Sequence, residues 1–397
     1  MENKKNQETL LSFEAFVPVG EHEAYASSDI FNGLFRVDME TGNCTYLRSF
    51  PGENRNKERL HTKAVFTKNR IYFIPCSADG IDVYELDSRE ISRIPIRAVD
   101  KKKYSFYRPA HKFADAILYE SWIYLICATY PAVIGLHVET GKLEYFNNWV
   151  PEEGFFFRKG VFAEKNTFYV PSANNNFVLQ FDMQTQEGKL FRVGQHNQGC
   201  WSICRCGTDY WLAPKKPGAV LKWKPLTNEV TEYDNYPPGF CDNGFAFTKI
   251  YPYQDKVYLI PAHANMSLSV SILDGSMENG RLFEVEDKMQ VGFMFTLGQK
   301  YYLMCVPEKG ARTLERKYIC LDISDNRTYP YAFRFTEGRK ALGKELIEQQ
   351  ESDEIKESNV FGLEDLIETL ADDTGQDKKE EWSIGALIYK EICKETD

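Results

Sequence analysis

Seven short aromatic-containing strands recur along most of this chain, and their spacing limits the folds that it can adopt. They include "IYFIP" at 71, "IYLIC" at 123 and "VYLIP" at 257. The aromatic marks are Tyr25, Tyr72, Tyr124, Tyr169, Trp211, Tyr258 and Tyr302, which lie 42 to 52 residues apart. Such a period is typical of solenoids, propellers and repeat arrays.

Each period has the same internal order. An apolar run, a short turn and the aromatic strand are followed by a loop and then a hairpin phrase, as in "NGLFRVDMETGNCTYL" at 32 and "IGLHVETGKLEYF" at 134. Four strands in about 45 residues are typical of a propeller blade, and no 3.6-residue apolar period supports helical repeats. We therefore predict an all-β fold, a seven-bladed β-propeller of four-stranded antiparallel blades, which begin near Leu11, Leu60, His111, Phe157, Cys200, Phe245 and Val291.

An acidic residue precedes most of the hairpin turns. We expect these carboxylates to accept backbone N–H groups and fix the turns rather than to act in catalysis. They are Asp38, Asp87, Glu139, Asp182, Asp274 and Asp322.

At the level of blade architecture, residues 11 to 336 resemble the kelch and YVTN-like β-propeller superfamily. The chain lacks the double glycine of kelch blades and the Trp-Asp ending of WD40 blades. The resemblance implies a fold, and propellers host binding scaffolds, lyases, hydrolases and oxidases alike.

The net charge of −10 is concentrated at the C-terminal end. Residues 338–397 hold 17 acidic and 8 basic residues, which leaves 41 and 40 for the rest. The nearly neutral main part argues against nucleic acid or a membrane as partner. The polar start and the lack of a long apolar stretch lead us to expect a cytoplasmic protein, with its ten cysteines reduced.

Three segments are predicted: a polar N-terminal lead (1–10), the propeller (11–337) and an acidic, helical C-terminal extension (338–397). Two amphipathic helices are expected in the extension, one around Leu363–Leu370 and one around Ile384–Ile392. Their apolar stripes either dock on the propeller or bind a partner protein, and periodicity does not separate the two.

Basic and aromatic residues are concentrated in the loops between blades two, three and four, in "NRNKERLHTK" (54–63), "KKKYSFYRPAHK" (101–112) and "FFFRKG" (155–160). Arg and Lys suit carboxylate or phosphate, while Trp offers a stacking face, so an anionic or sugar-like small molecule is one expected partner and a protein the other. The predicted ligand-binding residues are His61, Lys63, Arg108, His111, Arg158, Lys159, Trp201 and Lys215. The alternative is that these are ordinary solvated loop residues.

The stretch "GCWSICRC" is rich in thiols. Strict strand alternation would place Cys200, Cys204 and Cys206 on one face and Trp201 on the other. Neighbours two apart along a strand are too distant for a disulfide, and no CxxC pair or Hx3H partner supports zinc. We expect packing there, with no metal or cofactor.

No GxSxG, HExxH, P-loop or GxGxxG motif occurs in the sequence. We therefore predict a non-catalytic ligand- or protein-binding scaffold. The alternative is a propeller enzyme, a lyase or hydrolase acting on an anionic carbohydrate or peptide. A His or Tyr beside an Arg in a deep channel would favour the enzyme, and a broad shallow face would favour the scaffold.

Overall fold

The computed structural model describes residues 11–195, 198–216, 218–242, 244–283, 289–307 and 317–343. Seven separate antiparallel sheets follow one another along the chain, each with four consecutive strands, and they form a propeller ring. The predicted fold class and blade number are confirmed. Among the described residues, no helix has the length and apolar character needed to span a bilayer.

The four strands of each blade run from the central channel outwards. The first, innermost strands are β1 (Phe13–Pro18), β5 (His61–Thr67), β9 (Phe113–Tyr119), β13 (Phe162–Glu164), β17 (Cys200–Cys206), β21 (Phe247–Tyr253) and β25 (Met289–Leu297). The second strands are β2 (Glu23–Ser28), β6 (Arg70–Pro75), β10 (Trp122–Cys127), β14 (Thr167–Pro171), β18 (Asp209–Pro214), β22 (Lys256–Pro261) and β26 (Lys300–Pro307).

The two outer positions complete each blade. The third strands are β3 (Leu34–Asp38), β7 (Gly80–Glu85), β11 (Val133–His137), β15 (Phe177–Asp182), β19 (Val220–Lys224), β23 (Leu268–Ser271) and β27 (Lys317–Asp322). The fourth are β4 (Asn43–Arg48), β8 (Ile91–Pro95), β12 (Leu143–Phe146), β16 (Glu187–Arg192), β20 (Glu229–Tyr233), β24 (Met277–Asn279) and β28 (Arg327–Pro330).

The aromatic marks occupy one equivalent position in the structure. Each is the third residue of its blade's second strand, as Tyr72 is in β6 and Trp211 in β18. In β6 and β10 every residue after the first is buried, because each sheet packs between two neighbouring sheets. Burial on both faces explains why these strands are continuous apolar runs rather than alternating ones.

Four of the predicted acidic turn residues act as expected. Asp38 Oδ1 accepts hydrogen bonds from the backbone N–H groups of Glu40 and Thr41, each at 2.9 Å. Asp182, Asp274 and Asp322 accept equivalent bonds in their own turns. The position in blade 3 differs, because Glu139 forms an ion pair with Lys68.

A recurrent β-bulge marks the start of the innermost strand. One residue is left unpaired between the first two register positions of β1, β5, β9, β17 and β21. These bulge residues are Glu14, Thr62, Ala114, Trp201 and Thr248. In blade 4 a single bridge joins Phe157 to Ser172 ahead of β13, so Arg158 occupies the equivalent place. Bulges redirect a side chain, and here one residue in each of blades 1 to 6 lines the cavity at the channel.

The thiol-rich strand shows what a bulge does to side-chain alternation. The extra residue at Trp201 places Cys200 in a core cluster with Tyr169 and Ile203. Cys204 belongs to another cluster, with Trp211 and Phe247 of blade 6. The prediction that the three cysteines share one face is therefore wrong, because it assumed unbroken alternation.

An additional strand, which the sequence analysis did not predict, closes the ring. Strand β29 (Arg334–Glu337) pairs in parallel with β4 on the outer edge of blade 1. Leu11 N donates to Phe333 O at 3.0 Å, and Phe333 and Phe335 share one core cluster with Phe13. The chain after blade 7 thus packs on blade 1.

The described chain ends in a short helix at 339–343. Its Leu342 is buried in the same cluster as Phe13. The two amphipathic helices predicted further on, with the rest of the extension and the polar lead 1–10, lie outside the described residues.

Candidate functional site

A cavity of about 340 Å³ opens at the channel mouth, and we call it the mouth cavity. All seven blades contribute to its lining. All six of the equivalent bulge positions are among the lining residues: Glu14, Thr62, Ala114, Arg158, Trp201 and Thr248. The recurrent bulge is thus the backbone feature that builds this site.

Four side chains that are charged at neutral pH line the mouth cavity: Glu14, Arg59, Arg158 and Lys159. Glu14 Oε1 lies 2.9 Å from Arg59 Nη2, and Glu14 Oε2 lies 3.3 Å from Lys159 Nζ. Burial alone would raise the pKa of Glu14, but the charges of Lys159 and Arg59 outweigh it and lower the pKa to about 2. The carboxylate is therefore ionised and fully engaged.

The Lys159 ammonium is also satisfied within the protein. Besides pairing with Glu14, its Nζ donates to the backbone oxygens of Glu14 at 3.2 Å and Met294 at 3.1 Å. Two of the three cations in the lining, Arg59 and Lys159, thus have a protein anion beside them.

Arg158 differs from both. Its guanidinium lies over the rings of Phe156, at 4.3 Å, and Trp201, at 5.0 Å. In the described part of the chain no carboxylate contacts it, and its Nε, like that of Arg59, is sealed from solvent without an acceptor. Burial, then repulsion from Arg59, lowers the pKa of Arg158 to about 10, so it remains a cation at neutral pH.

Two histidines also line the mouth cavity. Burial and the nearby charges of Arg158 and Arg59 lower the pKa of His111 to about 4, so its imidazole is neutral at pH 7. Its ring packs 5.7 Å from that of Phe156. His263 lines the opposite side, with its ring 5.5 Å from that of Phe245.

Aromatic rings form the rim on the side of blades 5 and 6. Trp201 and Phe245 contact edge to face with ring centroids 5.5 Å apart, and Phe245 is 38% exposed. Lys215 Nζ lies 5.2 Å from the Phe245 ring centroid. Burial and repulsion from Arg158 lower the pKa of Lys215, a second sign of excess positive potential here.

One layer further along the innermost strands, two lysines and one aspartate occupy the equivalent position that follows the bulge: Lys63, Lys249 and Asp115. Lys63 pairs with Asp115 at 3.4 Å, and Lys249 Nζ donates to Lys159 O at 2.7 Å. Burial lowers the pKa of Lys249 to about 8. This layer adds to the positive potential felt in the mouth cavity.

The structure brings together part of the predicted binding set. His111, Arg158, Lys159 and Trp201 line the mouth cavity. Lys215 lies at its rim, and Arg108 is exposed beside it with its guanidinium 5.8 Å from the Phe156 ring. Lys63 lies in the deeper layer with Asp115. Whether these residues bind a ligand remains a prediction.

His61 is placed elsewhere, in the core between blades. It is 1% exposed, with Nδ1 2.9 Å from Ser27 Oγ and Nε2 2.9 Å from Asp82 Oδ2. His61 precedes the bulge, as the buried Phe13 and Phe113 do in their blades. That position points into the core, so His61 does not belong to the arc predicted at the channel mouth.

Sequence reasoning missed Glu14, Arg59 and Phe245 as lining residues. Glu14 lies in "SFEAF", which reads as an ordinary strand with an exposed acid. The available signal was positional: Glu14 aligns with Arg158 and Trp201 when blades are superimposed by their innermost strands. Arg59 adopts a left-handed conformation (φ 49°), which aims it into the cavity at some cost in strain.

Within the described ranges, no group of three or more His, Cys, Asp or Glu side chains could hold a metal ion. The arrangement offers hydrogen-bond donors, a permanent cation and aromatic surfaces. It is suited to hold an anion next to an apolar group.

Comparison with known proteins shows the fold. No protein-family model matches the chain, and no curated protein matches its sequence. Among solved structures it is similar to a streptogramin B lyase, with a TM-score of 0.51, 11% identity, and coverage of 76% of this chain and 92% of that one. Virginiamycin B lyase from Staphylococcus aureus gives a TM-score of 0.52 at 11% identity, covering 75% and 94%. At this identity the likeness establishes a propeller and nothing about activity.

Proposed function

We propose that this protein is a non-catalytic binding protein that holds a small anionic molecule in the mouth cavity. The observation that carries the proposal is Arg158, a mostly buried cation that lines the cavity with no carboxylate of the described residues in contact, so that attraction by Glu14 offsets only part of the effect of burial and of repulsion from Arg59. Burying an unpaired charge is costly, and a bound anion would remove that cost.

The dimensions of the site favour a small molecule over a protein partner. A cavity of about 340 Å³ is near the lower end of the roughly 300 to 1,000 Å³ typical of small-molecule sites. A protein surface would reach the exposed Arg108 and the half-buried Lys215 at the rim but would fill the cavity only by inserting a side chain. We therefore rank a protein partner second.

A reducing, cytoplasmic location is part of the proposal. The nine cysteines in the described ranges are free thiols, and all but Cys206 and Cys241 are buried. Burial raises the pKa of several, including Cys127 and Cys204, which keeps them as unreactive thiols. They act as small apolar side chains in the core.

The test is calorimetric titration of a panel of small anions against wild type and Arg158→Gln. We include benzoate, inorganic phosphate, citrate and glucuronate. A charge-assisted hydrogen bond contributes about 1.5 to 3 kcal/mol, so the variant should bind at least tenfold more weakly. Added salt should weaken binding in wild type by screening.

Arg192→Gln is the matched control. Arg192 lies in blade 4 as well, with its guanidinium 4.6 Å from the Phe177 ring, but it pairs with Glu153 on the outer surface. It should leave affinities unchanged. The proposal is contradicted if no anion binds, or if every anion that binds does so equally well to Arg158→Gln.

A second candidate is the propeller enzyme, a lyase or hydrolase on an anionic carbohydrate or peptide. The observation that favours it is the neutral imidazole of His111 close to Arg158 in the same cavity, since a neutral imidazole accepts protons. With a pKa of about 4 it is a weak base, and so we rank catalysis below binding.

Catalysis would be detected as product formation. Mass spectrometry of anionic oligosaccharides and peptides incubated with wild type, His111→Asn and His263→Asn would test it. Product formation by wild type that is lost in either variant, with the melting temperature unchanged, would show that the protein is an enzyme and not a non-catalytic binding protein. Unchanged substrates would leave the binding proposal in place.

A further inference from the structure

The mouth cavity is chemically divided, and the division indicates what kind of anion it accepts. All four charged lining residues come from blades 1, 2 and 4: Glu14, Arg59, Arg158 and Lys159. Among the described residues, blades 6 and 7 supply no charged side chain to the lining. Their contribution is mainly apolar: Phe245, Phe247, Val291, Phe293, Met304 and Val306.

The charged side has one cation available to a ligand. Glu14 is in direct contact with Arg59 and Lys159, and Lys159 is further held by two backbone oxygens. Among the lining cations of the described chain, Arg158 alone has no carboxylate in contact. This single guanidinium favours one negative charge on the part of the ligand inside the cavity, because the other described cations without a contacting carboxylate, Lys215 and Arg108, lie at the rim.

The surroundings of Arg158 favour a carboxylate. Its guanidinium lies over the rings of Phe156 and Trp201 and its Nε is sealed from solvent, so we expect a ligand to meet the terminal Nη groups. A planar carboxylate matches these groups with two parallel hydrogen bonds. Phosphate sites usually have several converging backbone N–H groups from a glycine-rich loop or a helix N-terminus. Among the described residues that line the cavity, Gly292 is the single glycine and none lies in a helix.

The apolar side of the mouth cavity requires an apolar ligand group to cover it, which we call the body of the ligand. Trp201, Phe245 and Phe293 present ring surface that water solvates poorly, and an apolar ligand group of a few carbon rings would displace that water. Offset or edge-to-face contact with these rings would favour an aromatic body over an aliphatic one.

We propose that the mouth cavity takes a small molecule with a single carboxylate on an aromatic or otherwise apolar body. The carboxylate lies against the terminal Nη groups of Arg158, and the body extends towards blades 6 and 7. This inference rests on the proposed function, because it assumes that Arg158 binds an anion.

The experiment compares four probes on the full-length protein by calorimetry: 2-naphthoate, 2-naphthamide, acetate and phenyl phosphate. The first two have the same apolar body and similar shape but differ in charge and in one hydrogen-bonding group, and the first and third differ in the apolar body. We expect 2-naphthoate to bind at least tenfold more tightly than each of the others. Arg158→Gln should reduce 2-naphthoate affinity at least tenfold and leave 2-naphthamide unchanged.

A second variant tests the apolar side. Phe245→Ala should weaken 2-naphthoate several-fold and leave acetate unaffected. Phe245 is partly exposed at the rim, so this variant should fold, and a thermal melt checks that. Leu273→Ala, a change of an exposed apolar residue in a hairpin turn of blade 6, is the matched control and should bind like wild type.

The outcomes separate this inference from the proposed function. If acetate binds as tightly as 2-naphthoate and both depend on Arg158, the ligand class is wrong and the anion site stands. Tighter binding of phenyl phosphate would also overturn the class, in favour of a phosphate ligand. If 2-naphthamide equals 2-naphthoate, or Arg158→Gln changes nothing, the proposed function fails together with the inference.

Discussion

Two polar clusters of this propeller, one around His61 and one around Arg158, use similar residues in opposite ways. Around His61, every charged group has a protein partner: Asp82 accepts from His61 and from Arg93 Nε at 2.8 Å, and Arg93 Nη1 lies 2.9 Å from Glu53. Around Arg158 and His111, no carboxylate of the described residues contacts the cation, and the imidazole is kept neutral. The first cluster is complete without a ligand, and the second is not.

This comparison distinguishes a buried charge that stabilises the fold from one that is available to bind a ligand. A satisfied network fixes the packing of neighbouring blades, and removing one member leaves the others uncompensated. An unsatisfied cation in a cavity costs stability in the free protein, and such a cost is typical of a binding site. Three changes test this contrast.

The largest effect is expected for Asp82→Ala. It removes the acceptor for both His61 and Arg93 in the core, where the Asp82 side chain is fully buried. Breaking a buried ion pair by deleting one partner costs about 3 to 5 kcal/mol of unfolding free energy. Urea unfolding would measure it. Glu229→Ala, which breaks an exposed pair with Lys224, should change little, and an equal loss in both variants would refute the structural assignment.

An intermediate effect is expected for His111→Asn, on the loss of unfolding free energy between pH 6.5 and pH 4. The pKa of His111 is about 4 in the folded protein and near 6.5 when unfolded. Between these values the unfolded chain binds a proton that the folded chain does not, so stability falls as pH drops from 6.5 to 4. His111→Asn should lose less stability over that window in urea unfolding at stepped pH. Parallel curves for variant and wild type would show that His111 is not held neutral.

The smallest effect on stability is expected for Arg158→Gln. Removing the charge relieves its burial cost, while the lost ring contacts with Phe156 and Trp201 work in the other direction. The unfolding free energy in the absence of ligand should stay within about 1 kcal/mol of wild type. A loss comparable to that of Asp82→Ala would mean that Arg158 serves structure.

Much of the architecture was predictable from the sequence because the aromatic marks have a strict structural role. Every mark, from Tyr25 to Tyr302, is the third residue of a second strand that is packed between sheets, and burial on both faces leaves a clear apolar signal. Strand β29 was missed because a short parallel strand on the edge of another blade has no local signature.

The site was only partly predictable, because the bulge decides which side chain enters the cavity. His61 and Thr62 are adjacent, yet the structure buries the first in the core and places the second in the lining. A basic loop sequence indicates the region of the site, but it does not show which of the neighbouring strand residues face the cavity. Arg158 and Trp201 were included for their chemistry, whereas Glu14, at the same bulge position, was not.

The most direct test of the central claim is an NMR titration that follows the side-chain Nε–H signal of Arg158. Its assignment comes from the signal that disappears in Arg158→Gln. We predict that 2-naphthoate shifts this signal to saturation at the calorimetric dissociation constant, while the Nε–H signal of Arg192 stays in place. An Arg158 signal that does not move while the ligand binds would contradict the claim that this unpaired cation is the anion site.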